Sequence, residues 1–304
     1  MKVLVIGSQG NVGHALVKHL KNTGHNVTEC DWHPGYRPNY YQADITMPLD
    51  LLKVYDCVKP DVVYHLAAMV SRVTCEAAPS LAVTTNLVGV QNVAELCKKF
   101  QAKMIYFSTS EVYGNQPEEL VEETTIPQPN NRYGLTKYLG EKLVEYEVKN
   151  HGLKAVTVRP FMFYHEDETH GDHRSAMIRF IEHLSKKEKI DVHLGSERAW
   201  LHLDDAVNAL EALMHIDEYR IFNIGHSEYV KTEQVAELIA KELGVKLEDY
   251  ANFIQLPEKM TLIKRPNTTL METLLGVTPQ ISLEQGIKRV IAKFKQDQSF
   301  PDVK

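Results

Sequence analysis

Short runs of apolar, mostly β-branched residues alternate with longer stretches of helical periodicity through the first half of the chain. The apolar runs are VLVIG (3–7), NVTECD (26–31), DVVYHLAA (61–68), KMIYFS (103–108) and KAVTVRPF (154–161). Between them, apolar positions recur at the spacing of amphipathic helices over about residues 11–23, 49–58, 80–100 and 133–151. Strands and helices that alternate in this way build a parallel sheet with helices on both faces. The pattern predicts an α/β protein with a doubly wound parallel sheet.

The regular alternation ends after residue 161, where a polar segment over residues 164–174 is rich in His, Asp, Glu and Gly. Such a segment is typical of a loop over a binding site. Further on, the pattern predicts helices over residues 175–187, 204–215 and 232–243, and strands at DVHLG (191–195) and YRIFNIG (219–225). We expect a first domain over residues 1–161, to whose sheet residues 220–224 add a strand. A smaller carboxyl-terminal α/β lobe is expected over residues 162–304.

Composition adds several exclusions. The chain has 304 residues, of which 43% are hydrophobic and 24% charged, and a formal net charge of −6 without a long basic block, so we expect no nucleic-acid partner. Its apolar stretches are far shorter than the roughly 20 residues that cross a bilayer, and it begins with a strand-like run rather than a signal peptide. Its four cysteines are scattered without zinc-like spacing, which is typical of reduced thiols. We therefore expect a cytoplasmic protein that does not bind membranes.

The first chemical motif follows the first strand. Gly7, Gly10 and Gly13 in the segment GSQGNVG fit the pattern G-x-x-G-x-x-G between a strand and an amphipathic helix. Such glycines let the backbone approach a pyrophosphate, while the helix amino terminus, here at Asn11 and Val12, supplies free N–H groups and a partial positive charge. Glycines alone could also form a simple tight turn, so the spacing by itself leaves both interpretations open.

Asp31 favours the first interpretation and indicates the cofactor. It ends the second predicted strand about 20 residues beyond the loop, where an acidic side chain accepts hydrogen bonds from the adenosine ribose. A carboxylate at this position repels a 2′-phosphate, so the sequence favours NAD over NADP and a Rossmann-type NAD-binding first domain. The nearby His33 and Arg37 are basic and keep NADP as the alternative.

A second motif, YGLTK, places Tyr133 and Lys137 four residues apart on one face of a predicted helix, so both side chains can reach one ligand. A free tyrosine has a pKa near 10, and its use as a base near pH 7 requires about 3 pH units of stabilisation, roughly 4 kcal/mol. Lys137 and a positive nicotinamide ring can supply this stabilisation. A Y-x-x-x-K pair also occurs by chance on exposed helices, so its interpretation depends on further motifs.

Those further motifs are specific. The chain contains DI at Asp44 and Ile45, HLAA at 65–68, Asn86 in a long helix, STSEVYG at 108–114, VRPF at 158–161 and RAWLHLDD at 198–205. Together with the glycine loop, Asp31 and the YGLTK segment, they resemble the extended short-chain dehydrogenase/reductase family, in its branch of NAD-dependent sugar-nucleotide epimerases and dehydratases. The resemblance runs over essentially the whole chain.

The resemblance implies which residues bind the cofactor and the substrate. The implied NAD-binding residues are Gly7, Gly10, Asn11, Val12, Gly13, Asp31, Asp44, Ile45, Leu66, Ala67, Ala68, Asn86, Ser108, Tyr133, Lys137, Pro160 and Phe161. The implied substrate-binding residues are Ser110, Glu111, Met162, Arg174, Arg198 and His202. The carboxyl-terminal lobe is accordingly expected to bind mainly the substrate, a nucleotide-linked sugar.

The resemblance also implies a chemistry. Thr109 would hydrogen-bond the reacting sugar hydroxyl, Tyr133 would remove its proton, and Lys137 would hold both Tyr133 and the nicotinamide ribose. Hydride would leave the sugar carbon for NAD⁺. Arg198 would grip the substrate diphosphate with its planar, permanently charged guanidinium, and an ordinary salt bridge is the alternative for this residue.

Met162 is one departure from the family pattern. It occupies the position of an Asn whose amide contacts the substrate, and Met offers no comparable donor. The segment that follows, with His170 and His173, could supply substitute contacts. Neither the spacing of these histidines nor a third ligand indicates a metal site, so we expect none.

Glu111 is the other informative position, and we count it among the candidate catalytic residues. The STSEVYG run is similar to that of sugar-nucleotide decarboxylases and some 4,6-dehydratases, where this carboxylate assists chemistry beside the transient ketone. Glu111 could equally hydrogen-bond a sugar hydroxyl or cap a turn. Ser110 weakens the dehydratase alternative, because the best-known dehydratases carry Asp there. The decarboxylase alternative is weakened because the chain lacks an arginine-bearing segment after VRPF.

We predict an NAD-dependent nucleotide-sugar 4-epimerase that works through a transient 4-keto sugar. The alternatives are a 4,6-dehydratase or decarboxylase that uses Glu111, an NAD-dependent sugar dehydrogenase or reductase, and a dinucleotide-binding sensor or scaffold without activity. The presence of Thr109, Tyr133 and Lys137 together favours an enzyme. By resemblance alone, the two long helices are expected to pair with their copies in a homodimer.

Overall fold

A computed structural model of the protein describes residues 1–116, 118–122, 124–168, 175–255 and 261–299. In chain order, the strands are β1 (Lys2–Ile6), β2 (Asn26–Asp31), β3 (Tyr40–Gln42), β4 (Val62–His65), β5 (Lys103–Phe107), β6 (Ala155–Pro160), β7 (Met162–Tyr164), β8 (Ile190–His193), β9 (Glu197–Arg198), β10 (Trp200–His202), β11 (Ile221–Ile224), β12 (Val230–Lys231), β13 (Ala251–Ile254) and β14 (Ile263–Lys264). The helices are α1 (Asn11–Asn22), α2 (Pro48–Val58), α3 (Arg72–Ala77), α4 (Pro79–Val83), α5 (Gly89–Phe100), α6 (Arg132–His151), α7 (Ala176–Ser185), α8 (Leu203–Ala212), α9 (Thr232–Leu243), α10 (Thr269–Leu274) and α11 (Leu283–Ser299). Among these described helices, none combines the length and the apolar character that a membrane-spanning segment needs.

The central sheet has seven strands in the order β3-β2-β1-β4-β5-β6-β11, and every neighbouring pair is parallel. Residues 3–6 of β1 are fully buried, because helices cover both faces of the sheet. The prediction of a doubly wound parallel sheet is confirmed. Since the carboxyl ends of parallel strands point to one edge, the loops after β1, β4, β5 and β6 meet there.

An apolar cluster covers each face of this sheet. On one face α1 packs with α8, for example through Leu16 and Leu210. On the other face α2, α5 and α6 contribute buried side chains such as Tyr55, Val93 and Val144. Because β11 and α8 come from the second half of the chain, both halves build the core around the central sheet.

A third apolar cluster is built by elements of the second half of the chain. Phe180, Ile239 and Ile291 are buried where α7, α9 and α11 pack together. The short strands pair as β7 with β10, β8 with β13, and β9 with both β12 and β14. The pairing of β14 with β9 sets Lys264 opposite Arg198, which joins two distant parts of the sequence.

The helix predicted over residues 80–100 has an interruption. It consists of α4, a π-helical turn over Thr84–Val88, and α5. The buried Asn86 lies in this turn and hydrogen-bonds to Met69 after β4 and to Thr136 of α6. A Cβ at Gly89 would lie 2.6 Å from the Ile45 side chain, so glycine permits the close packing there. The π-helical interruption depends on these tertiary contacts, so the apolar periodicity of the sequence does not predict it.

Candidate active site

The glycine loop closes tightly between β1 and α1. Gly7 has φ +92°, in the left-handed region that favours glycine. A Cβ at Gly13 would lie 2.2 Å from the Gly7 carbonyl oxygen, so a side chain there would force the loop open. Gly10 is the N-cap residue of α1 and offers no side-chain cap. The N–H groups of the first turn, at Asn11 and Val12, can therefore bind an anion such as a pyrophosphate.

Asp31 is buried at the end of β2, beside this loop. Its Oδ2 accepts a hydrogen bond from the Gln9 N–H at 3.0 Å, and its Oδ1 accepts one from the His33 N–H at 3.2 Å. Arg37 instead pairs with Glu29, to which its Nε donates at 3.0 Å. The guanidinium is thus engaged by a carboxylate rather than offered to a 2′-phosphate, an arrangement that suits NAD.

The HLAA segment lies against the glycine loop. The N–H groups of Leu66 and Ala67 both donate to the Ile6 carbonyl oxygen, at 2.9 and 3.0 Å. A Cβ at Gly7 would lie 2.7 Å from the Ala67 nitrogen, so the two loops are in direct contact. Ala68 continues this loop towards Met69, which the Asn86 amide holds through two hydrogen bonds.

The other predicted cofactor residues follow β3, β5 and β6. Asp44 accepts a hydrogen bond from the Thr46 N–H at 2.8 Å, and Ile45 beside it is buried. Pro160 ends β6, and Phe161 follows it as a buried side chain.

Two buried serines supply a test of whether the site suits a dinucleotide. The hydroxyl oxygens of Ser8, in the glycine loop, and Ser108, after β5, have no hydrogen-bond partner within the described part of the chain. A buried hydroxyl without a partner costs free energy. Phosphate and ribose groups can satisfy such hydroxyls, so the residues present fit NAD.

Thr109 and Tyr133 are brought together by two local caps. Thr109 follows β5 and starts a 3₁₀ turn over Ser110–Tyr113, where its Oγ1 accepts from the Glu111 N–H at 3.2 Å. Asn131 caps α6, accepting from the Gly134 N–H at 2.8 Å, and so sets Tyr133 in the first helical turn. The Thr109 side chain lies close enough to Tyr133 to oppose the rise in the pKa of that tyrosine. Two of the candidate catalytic side chains are therefore neighbours.

Lys137 is buried one turn further along α6. Its Nζ lies 4.5 Å from the centre of the Tyr106 ring, in a cation–π geometry. Burial lowers the pKa of Lys137 to about 7, although Glu141 opposes the shift. Burial also raises the pKa of Tyr133, and the neighbouring Thr109 side chain offsets part of that shift. Burial thus favours the uncharged form of each group.

His65 of the HLAA segment lies near Lys137. Its ring stacks on Tyr106 at 6.0 Å between centroids. Burial and, secondly, the Lys137 ammonium lower the pKa of His65 to about 3. The imidazole is therefore neutral and adds no second positive charge beside Lys137.

Glu111 has partners on both carboxylate oxygens. Oε1 accepts from Lys264 Nζ at 2.5 Å and lies 3.7 Å from the Arg72 guanidinium. Oε2 accepts from Asn131 Nδ2 at 3.0 Å and from Thr261 Oγ1 at 3.3 Å. Burial opposes ionisation, but Lys264 and Arg72 outweigh it and lower the pKa of Glu111 to about 2. Near neutral pH this carboxylate is ionised and fixed in a network.

Ser110 and Arg198 lie with the network around Glu111. Ser110 is buried in the same 3₁₀ turn, and Arg198 is buried opposite Lys264. One Arg198 amino group donates to the carbonyls of Glu197 and Leu262, at 2.8 and 2.7 Å, and the other donates to the Thr261 carbonyl. Arg198 therefore holds β14 against β9 as well as adding positive charge.

Met162 and His202 lie in the paired strands β7 and β10. Met162 faces Trp200 across the pair and packs on the third apolar cluster, so it contributes apolar contact. His202 is fully buried. Arg174, His170 and His173, also singled out from the sequence, lie outside the described residues.

His202 also belongs to a group with metal-like spacing. Ligand atoms of His165, Glu166 and His202 lie within 4.8 Å of one another. His202 Nδ1 accepts from the Asp204 N–H at 3.1 Å, so its Nε2 carries the proton and donates to Glu166 at 3.0 Å. Arg289 pairs with both Glu166 and Asp204. Hydrogen bonds and ion pairs account for these groups without a cation.

Sequence reasoning missed four residues of the Glu111 network: Arg72, Asn131, Thr261 and Lys264. Asn131 had a usable signal, because Asn directly before a helix is a typical N-cap. Lys264 had none, since it contacts Glu111 across 153 residues of sequence. Contacts of this range are decided by the fold.

Comparison with known proteins identifies the family of the chain. The model of the NAD dependent epimerase/dehydratase family matches residues 3–225. UDP-glucuronic acid decarboxylase 1 from Xenopus tropicalis is 28% identical, with 97% of this chain and 72% of the relative covered. UDP-glucuronate 4-epimerase from Thermodesulfobacterium geofontis is 27% identical, with 85% of this chain and 80% of the relative covered. The structure of Thermus thermophilus UDP-glucose 4-epimerase in complex with NAD has the same fold, with a TM-score of 0.88 at 24% identity over 97% of this chain and 99% of that chain. The chain therefore belongs to the NAD-dependent epimerase/dehydratase family, and it is an enzyme whose cofactor is NAD.

Proposed function

We propose that this enzyme is a nucleotide-sugar 4-epimerase that works through a transient 4-keto sugar. The main support for the proposal is that the Glu111 carboxylate is fully engaged by other side chains, whereas Thr109, Tyr133 and Lys137 lie close together. Thr109 and Tyr133 are neighbours, with Lys137 one turn away, whereas both oxygens of the ionised Glu111 are occupied. The dehydratase and decarboxylase alternatives assign proton transfer to Glu111, and a carboxyl with a pKa of about 2 is a poor acid or base near neutral pH.

In this proposal the residues act on the sugar 4-hydroxyl. Tyr133 removes its proton and later returns it, Thr109 hydrogen-bonds the same oxygen, and Lys137 stabilises the negative charge on Tyr133. NAD, when bound, supplies the hydride acceptor and donor. The keto sugar must present its opposite face before reduction, so that the configuration at carbon 4 is inverted.

We assign the cofactor contacts as the resemblance implies. The glycine loop would hold the pyrophosphate, Asp31 the adenosine ribose, and Asp44 with Ile45 the adenine. The remaining contacts would come from Leu66, Ala67, Ala68, Asn86, Ser108, Tyr133, Lys137, Pro160 and Phe161. Support comes from the meeting of these loops at one sheet edge and from the buried, unpartnered hydroxyl of Ser108.

The proposed substrate is a nucleotide diphosphate linked to a sugar. By their names, two of the relatives act on UDP-glucuronic acid and the third acts on UDP-glucose, which supports a substrate of this class. Arg198 is assigned to the diphosphate. Its Nε forms no hydrogen bond within the described residues, so this donor remains for a ligand after the amino groups have bound backbone carbonyls.

The experiment that tests the proposal incubates the purified enzyme with UDP-, GDP-, CDP- and dTDP-sugars, with and without added NAD. Mass spectrometry and proton NMR then identify the products. An unchanged mass with inverted carbon 4 is expected. Loss of water or carbon dioxide would support the alternatives that use Glu111, and net reduction of NAD would support a dehydrogenase.

Two tyrosine variants separate catalysis from binding. Tyr133→Phe is expected to abolish turnover and to retain NAD, because only the hydroxyl is removed. Tyr146→Phe, on the same helix but 58% exposed, is the matched control and is expected to remain active. Full activity in Tyr133→Phe would contradict the catalytic role and favour a sensor or scaffold.

We also propose that the enzyme is a homodimer formed through α4, α5 and α6. Exposed apolar side chains lie on α4, at the end of the π-helical turn that leads into α5, and on α6, with exposed fractions of 42% to 58%, namely Leu81, Val88, Leu135, Leu139 and Tyr146. An apolar patch spread over neighbouring helices is typical of a protein interface. A second copy of the chain would cover it.

For location, we propose the cytoplasm. All four cysteines are free thiols, and Cys30, Cys75 and Cys97 are buried. Free thiols of this kind are typical of a reducing compartment.

A further inference from the structure

Two cationic side chains contact the carboxylate of Glu111, and a third lies next to one of them. Lys264 and Arg72 contact its Oε1, and Arg198 lies opposite Lys264 in the neighbouring strand. Burial lowers the pKa of Arg198 to about 10, and Arg72 adds to the shift while Glu111 opposes it. Three positive charges thus face one negative charge in a largely buried place. Such an excess is costly, and an anionic ligand would balance it.

The excess positive charge extends to neighbouring side chains. Burial, together with the guanidinium groups of Arg179, Arg198 and Arg72, lowers the pKa of His193 despite the presence of Asp191. The positive electrostatic potential around the Glu111 network therefore reaches beyond the residues that contact Glu111 directly.

Arg72 is the most exposed cation of this group. Lys264 is buried on Glu111, and the amino groups of Arg198 are bound to backbone carbonyls. The Arg72 side chain is 34% exposed, and its 3.7 Å contact with Glu111 is longer than a hydrogen bond. Across the described ranges its guanidinium forms no hydrogen bond, so its donors are available.

The position of Arg72 places it beside the proposed reacting centre. Arg72 begins α3, which follows the loop after β4 and packs against α6. The Arg132 N–H in the first turn of α6 donates to Glu76 Oε1 of α3 at 2.9 Å. Glu111, which Arg72 contacts, donates its backbone N–H to the Thr109 hydroxyl oxygen. An anion on Arg72 would therefore lie near the group that Thr109 binds.

We propose that Arg72 binds a carboxylate at carbon 6 of the sugar, so that the substrate is a nucleotide-linked uronic acid. This inference rests on the proposed function, which assigns the 4-hydroxyl to Thr109 and Tyr133. Carbon 6 is two bonds from carbon 4, whereas the diphosphate is attached at carbon 1, across the ring. A carboxylate is thus the anionic group that comes nearest to Thr109. The planar guanidinium matches it with two parallel N–H donors.

The test measures the affinities of the NAD-loaded enzyme for UDP-glucuronate, UDP-glucose and UDP by isothermal titration calorimetry. A Tyr133→Phe background prevents turnover during the titration. Arg72→Met is expected to lower the affinity for UDP-glucuronate about tenfold to a hundredfold, because a charge-assisted hydrogen bond is lost. The same variant is expected to bind UDP-glucose and UDP with affinities within about twofold of those before the substitution. Arg72→Lys should recover part of the affinity, because it keeps the positive charge.

Arg220→Met is the matched control, since Arg220 is a half-exposed arginine that pairs with Glu218 on the surface. It should change none of the three affinities. An equal loss of affinity for all three ligands in Arg72→Met would assign Arg72 to the diphosphate and overturn the carboxylate subsite. An unchanged affinity for UDP-glucuronate would also overturn the carboxylate subsite. Binding of UDP-glucose without preference for UDP-glucuronate would overturn the subsite and leave the 4-epimerase standing. Binding of neither sugar nucleotide would overturn the proposal for a UDP-linked uronic acid, whereas the proposed function is tested separately by the product assay with GDP-, CDP- and dTDP-sugars.

Discussion

Two buried ionisable side chains beside the proposed reacting centre behave in opposite ways. Lys137 lies over the Tyr106 ring, and burial lowers its pKa to about 7. Glu111 is also buried, but Lys264 and Arg72 lower its pKa to about 2. Because the partners differ, similar burial yields one group that exchanges a proton near neutral pH and one that stays charged.

The rate of epimerisation is expected to rise with pH through about 7. Tyr133 can accept the proton of the sugar hydroxyl only after the Tyr133–Lys137 pair has lost one proton, and burial lowers the pKa of Lys137 to about 7. The profile of kcat/KM should follow a single ionisation, with the slow limb on the acidic side. Steady-state rates between about pH 5.5 and 8.5 measure it. A rate independent of pH across this range would contradict the role of the pair.

Glu111→Gln and Lys264→Met are each expected to lower the free energy of unfolding by about 3 kcal/mol, because each leaves a buried charged side chain without its partner. The double variant should lose less than the sum of the two, since neither charge remains unpaired. Urea denaturation of the wild type and the three variants gives the coupling. A double variant whose loss equals the sum would show that the two side chains do not depend on each other.

At the scale of elements, close contacts hold α6, which carries Tyr133 and Lys137, against the sheet. The Tyr106 hydroxyl of β5 donates to the Lys137 carbonyl at 3.2 Å. A Cβ at Gly140 would lie 2.2 Å from that hydroxyl oxygen, so glycine permits the approach. On the neighbouring strand, Arg159 donates two hydrogen bonds to the buried Glu141 of α6, at 2.9 and 2.7 Å.

Glu141→Gln is expected to lower the free energy of unfolding by about 3 kcal/mol, because it leaves the buried Arg159 guanidinium without a counter-charge. The matched control is Glu145→Gln on the same helix, which removes partly exposed ion pairs with Lys142 and Lys149. This change should cost less than about 1 kcal/mol. Thermal or urea unfolding of both variants measures the difference. Equal losses would show that the Arg159 pair does not anchor α6.

At the scale of the whole molecule, the apolar surface on α4, the π-helical turn over Thr84–Val88 and α6 is expected to form the homodimer interface. Introducing charge through Leu135→Glu and Leu139→Glu should produce monomers, because both side chains lie on the exposed face of α6. Leu274→Glu on α10, where the side chain is 46% exposed, is the control and should leave the dimer intact. Light scattering measures the mass. A monomeric wild-type protein would contradict the interface.

Local sequence patterns predicted most of the architecture. The alternating runs that predicted β1, β4, β5 and β6 and the periodicity that predicted α1 and α6 depend on neighbours in the chain, which the sequence displays directly. The interruption at Thr84–Val88 was missed. It depends on Asn86 contacting α6 and on Gly89 accommodating Ile45, and neither contact has a periodic signal.

The sequence by itself determined the order of the elements, the glycine loop with Asp31, and the candidate set Thr109, Tyr133 and Lys137, because short spacings and residue types specify each of them. Only the tertiary structure decided the state of Glu111. Its charge depends on Lys264, which lies 153 residues away. The accessibility of Arg72 was likewise decided by the fold, since it depends on which other cations are buried or already bound. Burial and long-range partners set these properties, and neither can be read from adjacent residues.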